Sequence, residues 1–213
     1  MRSVMTQPIS KHIFRAYDIR GLYNKDISPE IFYKIGLAAG TYVKNTMQGK
    51  QIAVGGDIRQ SSQSLTHAFI AGVTATGVHI RHTGTTSFGQ TLFTGGELKA
   101  DLIAFVTASH LPPEWNGIKF YYGDGVGFPQ ENLMAIRDLV LQDSFELAAW
   151  DHIGQVTPVD AKIGYKRFFT SLFKYREKLT VALDCGGASM TLSAPEIFTS
   201  LGFHLIPVYC DPD

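Results

Sequence analysis

The sequence predicts an α/β protein: a layered α/β/α domain with a mixed, mostly parallel sheet, followed by an incomplete second α/β domain. Three features carry that expectation. Segments of helical period alternate with short apolar runs rich in β-branched residues. One run, DLIAFVT (101–107), is almost continuously apolar, as suits a central strand covered on both faces. The C-terminal stretch holds only two strand-like runs, too few to close a sheet of its own.

Taken in order, Ile31, Ile35, Ala38 and Tyr42 fall on one face of a helix from Pro29 to about Val43, with Ser28 as N-cap and Pro29 at the first position. QIAV (51–54) reads as a strand opening into a glycine turn. A second helix, from about Ser62 to Thr76, buries Leu65, Phe69, Gly72 and Val73 and stops at Gly77. VHIRH (78–82) is a strand, TTSFGQTLFTGGELK (85–99) a loop with a short helix, and DLIAFVT the central strand. GIKFYY (117–122) pairs back as a strand, GDGVG (123–127) turns, and Leu133, Ile136 and Val140 mark a helix ending near Gln142.

From Asp143 to Asp160 the periodicity weakens and strand signals are few, which places a domain boundary there: 1–150 form the first domain, 151–213 a linker and the beginning of a second. The second unit is read as a helix from about Ala161 to Tyr175, a strand TVALD (180–184), a helix from about Leu192 to Leu201 and a strand HLIPVY (204–209). Two strands leave unpaired edges, and Val181, Leu183, Ile206 and Val208 lack cover. The expectation is a portion of a longer protein, or a unit covered by another chain.

Composition excludes several classes. With 45% hydrophobic and 18% charged residues the chain can bury a core, which argues against disorder. Nineteen basic against 19 acidic residues give a formal charge of zero, so the broad attraction behind non-specific nucleic-acid or anionic-membrane binding is missing. The opening MRSVMTQPISKH has no apolar signal core, and no segment approaches the roughly 18 apolar residues of a membrane span. A cytoplasmic protein without nucleic-acid or membrane partners is expected. Cys185 and Cys210 are too few for a disulfide framework, lack metal-type spacing and read as idle thiols.

The chemistry concentrates in VTASHLPPEWNGIKF (106–120). The loop leaves the end of a buried strand, where open α/β sheets place their ligands. Ser109 follows small residues, so its hydroxyl is exposed, and Pro112 and Pro113 fix the backbone. Asn116-Gly117 is expected to form a tight turn that returns Lys119 toward the serine. A hydrolase elbow, G-x-S-x-G, is absent, and neighbours in an extended loop point apart, leaving His110 badly placed to deprotonate Ser109. Phosphate chemistry suits an exposed serine, a lysine and backbone amides. FRAYDIRG (14–21) adds Arg15 and Arg20, able to set a guanidinium against phosphate.

Together these stretches resemble the α-D-phosphohexomutases, the family of phosphoglucomutases and phosphomannomutases. FRAYDIRG is similar to the family's N-terminal signature, VGGDIRQSS (54–62) to its G-x-D-x-R segment, TASHLPPEWNGIK (107–119) to its phosphoserine loop and LDCGGASMTLSAPEIFTSLG (183–202) to the opening of its second domain. The resemblance implies that Ser109 is the phosphorylated serine, His110 its companion and Lys119 a general acid or base. It implies that Tyr17 and Arg20 face the active site, binding substrate with Lys119, that Arg20 is also catalytic, neutralising charge on the transferring group, and that Asp57 and Arg59 are structural, one capping a turn and the other tying down the fold.

It further implies a cycle in which phospho-Ser109 phosphorylates a hexose phosphate and is recharged by the resulting hexose bisphosphate, with Mg²⁺ bound in part through the serine phosphate. Two departures stand out. Leu111 replaces the asparagine of the usual T-A-S-H-N-P, and TGTTSFGQTLF (83–93) lacks the usual threonine-proline. The family's aspartate-rich metal loop, sugar loop and distal phosphate loop do not appear. The resemblance thus implies either an N-terminal portion of a mutase, active in the complete protein or after assembly with a chain that carries the missing domains, or a non-catalytic phosphosugar-binding module. The VTASH spelling leans toward glucose and mannose phosphates over glucosamine phosphate.

Overall fold

The structure, a computed structural model, describes residues 9–173 and 179–213. Along the chain run β1 (Ile19–Leu22), α1 (Pro29–Asn45), β2 (Gln51–Gly56), α2 (Ser62–Ala75), β3 (His79–Thr85), α3 (Phe88–Glu97), β4 (Leu102–Val106), β5 (Trp115–Tyr122), α4 (Gln130–Leu141) and β6 (Val156–Pro158). Then follow α5 (Ala161–Leu172), β7 (Thr180–Asp184), α6 (Ala194–Ser200) and β8 (His204–Val208). The first six strands make one mixed sheet in the order β1-β5-β4-β2-β3-β6. β2 runs parallel to β3 and β4, and β3 to β6, while β5 runs antiparallel to β4 and β1. Helices cover both faces, so every residue of β4 is buried, as its unbroken apolar run requires.

On one face α1 and α2 pack so closely that glycine is required where they cross. A Cβ on Gly72 would lie 2.1 Å from the Tyr33 carbonyl oxygen, and one on Gly36 would lie 2.2 Å from that of Phe69. Phe32 and Phe69, both fully buried, fill the space beside this contact. The Ser28 hydroxyl accepts from the Ile31 amide at 3.3 Å, starting α1 behind Pro29.

Two strands were not expected from the sequence. β1 begins inside the FRAYDIRG stretch and ends one residue beyond it, and β6 lies in the stretch of weak periodicity, where three residues ending in proline make an edge strand. β6 therefore extends the first sheet past residue 150. Asn116-Gly117 is not a turn. Both residues sit within β5, opposite Gly21 and Arg20, and a Cβ at Gly117 would meet the Ile19 carbonyl oxygen at 2.2 Å. The glycine serves the close approach of two strands, and Lys119 reaches the loop by sheet pairing, opposite Phe105.

Beyond β6 the chain is thinly covered. β7 and β8 form a separate parallel pair, and none of Val181, Leu183, Ile206 and Val208 is buried. The helix expected from Ala161 to Tyr175 is α5 as far as Leu172; Lys174 and Tyr175 lie outside the described residues. The helix expected from Leu192 begins at Ala194, after a 3-10 turn over Ser189–Leu192, with proline in its first turn. α5 lies against α3, with the Phe93 ring 5.6 Å from Tyr165 and 4.9 Å from Phe168 between centroids. The Ser193 hydroxyl donates to that of Ser87 at 3.1 Å in a buried contact. Among the described residues no helix is long and apolar enough to cross a membrane.

The α1–α2 crossing gives a direct test. Gly72→Val should cost about 2 kcal/mol or more, because backbone rather than a flexible side chain blocks the new methyls. Exposed Gln63→Ala, on the same helix, should stay within about 0.5 kcal/mol. Urea unfolding of both variants checks the difference.

Candidate active site

From β2 the chain passes through α2 to β3 on one side, then through α3 to β4 on the other, so the ends of β2 and β4 open into a crevice at the switch point. A cleft of about 1240 Å³ occupies it. Asp57, Arg59, Ser109, His110 and Lys119 line one side, and Gly186 to Ser189 with Pro212 and Asp213 line the other. Phe88, Phe105 and Tyr121 form an apolar patch, with the Phe88 ring 5.5 Å from Phe105 and 5.2 Å from Tyr121.

Arg59 fixes the Ser109 loop. Its Nη1 donates to the carbonyls of Pro112 at 2.8 Å and Trp115 at 3.2 Å, and its Nη2 to those of Ser109 at 2.9 Å and Leu111 at 2.7 Å. Asp57 fixes Arg59 in turn, accepting from the Arg59 amide at 3.1 Å and from Nε at 3.2 Å. The remaining capacity of the carboxylate is taken by the hydroxyls of Ser62, at 2.5 Å, and Thr107, at 2.7 Å. Thr107 Oγ1 also accepts from the Ser109 amide at 2.9 Å. Loop, β2 end and α2 start are thus one hydrogen-bonded unit, in which Asp57 caps and Arg59 ties.

Ser109 has φ of 59° and is exposed. That left-handed conformation, uncommon outside glycine, replaces the extended loop assumed from the sequence. It alters the relation to His110: Nδ1 lies 3.3 Å from the Ser109 hydroxyl, within hydrogen-bond reach rather than pointing away. Lys119 lines the same cleft, its ammonium 5.4 Å from the centroid of the exposed Tyr17 ring.

Arg20 is arranged differently. It is buried and paired with Asp18, also buried, while Arg20 Nε and Asp18 Oδ1 have no hydrogen-bond partner. It does not line the cleft. Burial and the Asp18 charge raise the Tyr121 phenol above its usual range, which keeps it a neutral donor on the cleft wall. Arg15 lies 5.7 Å from the centroid of the Trp115 ring.

Two contributors escaped the sequence reading. Thr107 joins Asp57 to the Ser109 amide, and fully buried Asn116 donates from Nδ2 to Ser61 at 2.8 Å and Ser62 at 3.0 Å. A threonine two residues before the serine is a signal for such a side-chain to backbone bond. Asn116 was obscured because Asn-Gly reads as a turn. Among the described residues no group of three or more His, Cys, Asp or Glu side chains could hold a metal ion.

An exposed hydroxyl beside an imidazole, with an ammonium on the same wall, can receive a phosphoryl group and disperse its charge. Comparison with known proteins agrees with this geometry. Residues 11–147 match the family described as phosphoglucomutase/phosphomannomutase, alpha/beta/alpha domain I. A phosphoglucosamine mutase of Carboxydothermus hydrogenoformans is 34% identical over 206 residues, covering 94% of this chain and 46% of that protein. A phosphoglucomutase/phosphomannomutase of Thermococcus kodakarensis is 31% identical over 209 residues, covering 94% and 45%. The crystal structure of a phosphoglucomutase/phosphomannomutase family protein from Burkholderia thailandensis superposes with a TM-score of 0.88 at 26% identity, over 96% of this chain and 45% of that one. The chain thus spans about half the length of the curated relatives it matches.

If Arg59 holds the loop, Arg59→Lys should release it, since an ammonium has three donors and no planar fork. The expected loss is roughly 2 kcal/mol or more in urea unfolding, with faster hydrogen exchange confined to amides near 107–116. Unchanged exchange there would show that the loop holds itself.

Proposed function

The chain belongs to the phosphoglucomutase/phosphomannomutase family, and on that premise we propose that it is the phosphoryl-carrying N-terminal portion of a phosphohexomutase, with Ser109 as the phosphorylated residue. The observation that carries this reading is the exposed Ser109 hydroxyl in a left-handed turn whose backbone is pinned by one guanidinium at the mouth of the cleft. A phosphoryl carrier must present its oxygen in line with an acceptor each time, and a fixed turn does so without reordering.

In the proposed cycle phospho-Ser109 passes its phosphoryl group to a free hydroxyl of a hexose phosphate, whose proton is lost as the new P–O bond forms and the serine P–O bond breaks. The bisphosphorylated sugar reorients and returns its other phosphoryl group to Ser109. Lys119 acts as acid or base on the exchanging proton, and Tyr17 holds the ammonium against its ring face. His110 hydrogen-bonds the serine oxygen when it is free. Arg20 has a positioning role on β1, beside β5, since it would have to leave Asp18 to touch substrate.

The substrate is taken only as a hexose phosphate. Its relatives include a phosphoglucosamine mutase as well as a phosphoglucomutase/phosphomannomutase, so the VTASH spelling does not select among hexose phosphates. The described residues do not by themselves fit the Mg²⁺ that the resemblance implies. Apart from a phosphate on Ser109, the cleft offers Asp57, already taken by four donors, and Asp213. The division near residue 150, with the phosphoserine loop in 1–150 and a linker and partial second domain in 151–213, belongs to the same proposal.

Intact mass and peptide mapping after incubation with a hexose bisphosphate and Mg²⁺ test it. One phosphate on Ser109, absent in Ser109→Ala and appearing roughly 100-fold more slowly in Lys119→Ala, is expected. An unmodified Ser109 under every condition would favour a phosphosugar-binding module over a carrier.

A further inference from the structure

The two cysteines, which the sequence reads as idle, meet in the fold. Cys185 directly follows β7, and Cys210 lies two residues after β8. The register sets Asp184 opposite Val208, so a chain continuing straight would carry Cys210 past Cys185. It does not continue straight. Tyr209 adopts φ of 45°, and the chain folds back so that Cys210 Sγ sits 3.3 Å from the Leu183 carbonyl and 3.5 Å from Cys185 Sγ. A residue in the left-handed region is held there by its surroundings. Backbone hydrogen bonds supply them: the Cys185 amide donates to the Val208 carbonyl, and the Gly187 amide to the Tyr209 carbonyl.

We propose that Cys185 and Cys210 are a reversible dithiol/disulfide pair, oxidised by low-molecular-weight disulfides. Forming the bond requires the sulfurs to approach by about 1.5 Å, toward the usual length near 2.05 Å, a displacement within reach of side-chain rotation. The roles follow from exposure. Cys210 is half-buried and Cys185 buried, so Cys210 meets the reagent first. Burial, the hydrogen bond shared with Cys210 and the neighbouring Cys210 and Asp184 charges push the Cys185 thiol up to about 11, which keeps it protonated until its neighbour is activated.

In the first exchange the Cys210 thiolate attacks the small disulfide, forming a mixed disulfide and expelling one small thiolate. In the second, Cys185 loses its proton as it attacks the Cys210 sulfur, forming the internal disulfide and expelling the other small thiol. Two protein thiols and one small disulfide thus become one protein disulfide and two small thiols. The reverse reaction restores the pair. The bond would cross-link the segments that lead into Gly186 to Ser189 and into Pro212 and Asp213, the two arms of the cleft wall facing Ser109. The proposal rests on these contacts and stands apart from the mutase reading.

The reduced chain equilibrated in glutathione buffers of increasing oxidised fraction provides the test, read by intact mass after acid quenching. The wild type should lose two hydrogen masses without accumulating an adduct, and reduced glutathione should reverse it. Cys185→Ser should stop at one glutathione adduct on Cys210, because the resolving thiol is missing. Cys210→Ser should react more slowly than Cys185→Ser. The equilibrium constant for the internal bond should exceed that of the same chain in denaturant by about tenfold or more, since only the fold holds the sulfurs together. Two free thiols at the most oxidising ratio, a persistent adduct on wild type, or an equilibrium constant equal to the denatured value would overturn the proposal.

Discussion

One guanidinium governs the cleft. The Ser109 loop has no regular structure of its own, and its carbonyls turn inward toward the end of β2, where without donors they would destabilise the loop. Arg59 meets four of them, two from each terminal nitrogen, at distances from 2.7 to 3.2 Å. Arginine is required because the donors must diverge in a fixed fork; a lysine could satisfy such a set only by moving between partners. The loop conformation, including the left-handed Ser109, is therefore written largely at a position fifty residues away in the chain.

The guanidinium itself needs a counterpart. Asp57 supplies it, and its carboxylate is oriented by two hydroxyls from different elements, Ser62 on α2 and Thr107 in the loop. Removing two charges partly from water makes such a pair costly, so its contribution is geometric rather than a gain in stability. What it achieves is coupling: β2, α2, the loop and β5 must all be in place before the network closes. Fully buried Asn116 extends the same network by donating to Ser61 and Ser62 at the start of α2. The glycine after it lets β1 lie close against β5, which brings the Tyr17 ring to Lys119.

This distinction between local and distant causes explains what the sequence reveals. The α1 and α2 helices are legible because Ser28, Pro29 and the spaced apolar residues act within a few turns, and β4 is legible because burial on both faces leaves an unbroken apolar run. β1 and β6 are not, since four and three residues carry too little pattern and gain strand character from the neighbour they pair with. Asn116-Gly117 misleads for the same reason: locally it is a turn signal, and only the approach of β1 makes it part of a strand. Within the cleft, Ser109, His110 and Lys119 could be picked from one stretch by residue type. The proximity of His110 to the Ser109 hydroxyl could not, because it depends on a backbone angle imposed by Arg59 from outside that stretch.

The two walls of the cleft are built on different physical terms. The Ser109 wall stands on a sheet whose central strand is buried along its whole length, and its loop is closed by charge-assisted hydrogen bonds. The facing wall leaves β7 and β8, in which no residue is buried, and turns through Gly186 and Gly187 at φ of 58° and 60°. Local opening is favoured where apolar contacts are few and backbone hydrogen bonds are exposed. Motion in the cleft should thus belong to the facing wall, with the serine side as the fixed reference. The contacts that join the two sides, the aromatic cluster between α3 and α5 and the buried Ser87–Ser193 hydrogen bond, lie on α3 and its N-cap rather than on the Ser109 loop. A displacement of the facing wall can then change the width of the cleft while leaving the geometry around Ser109 intact.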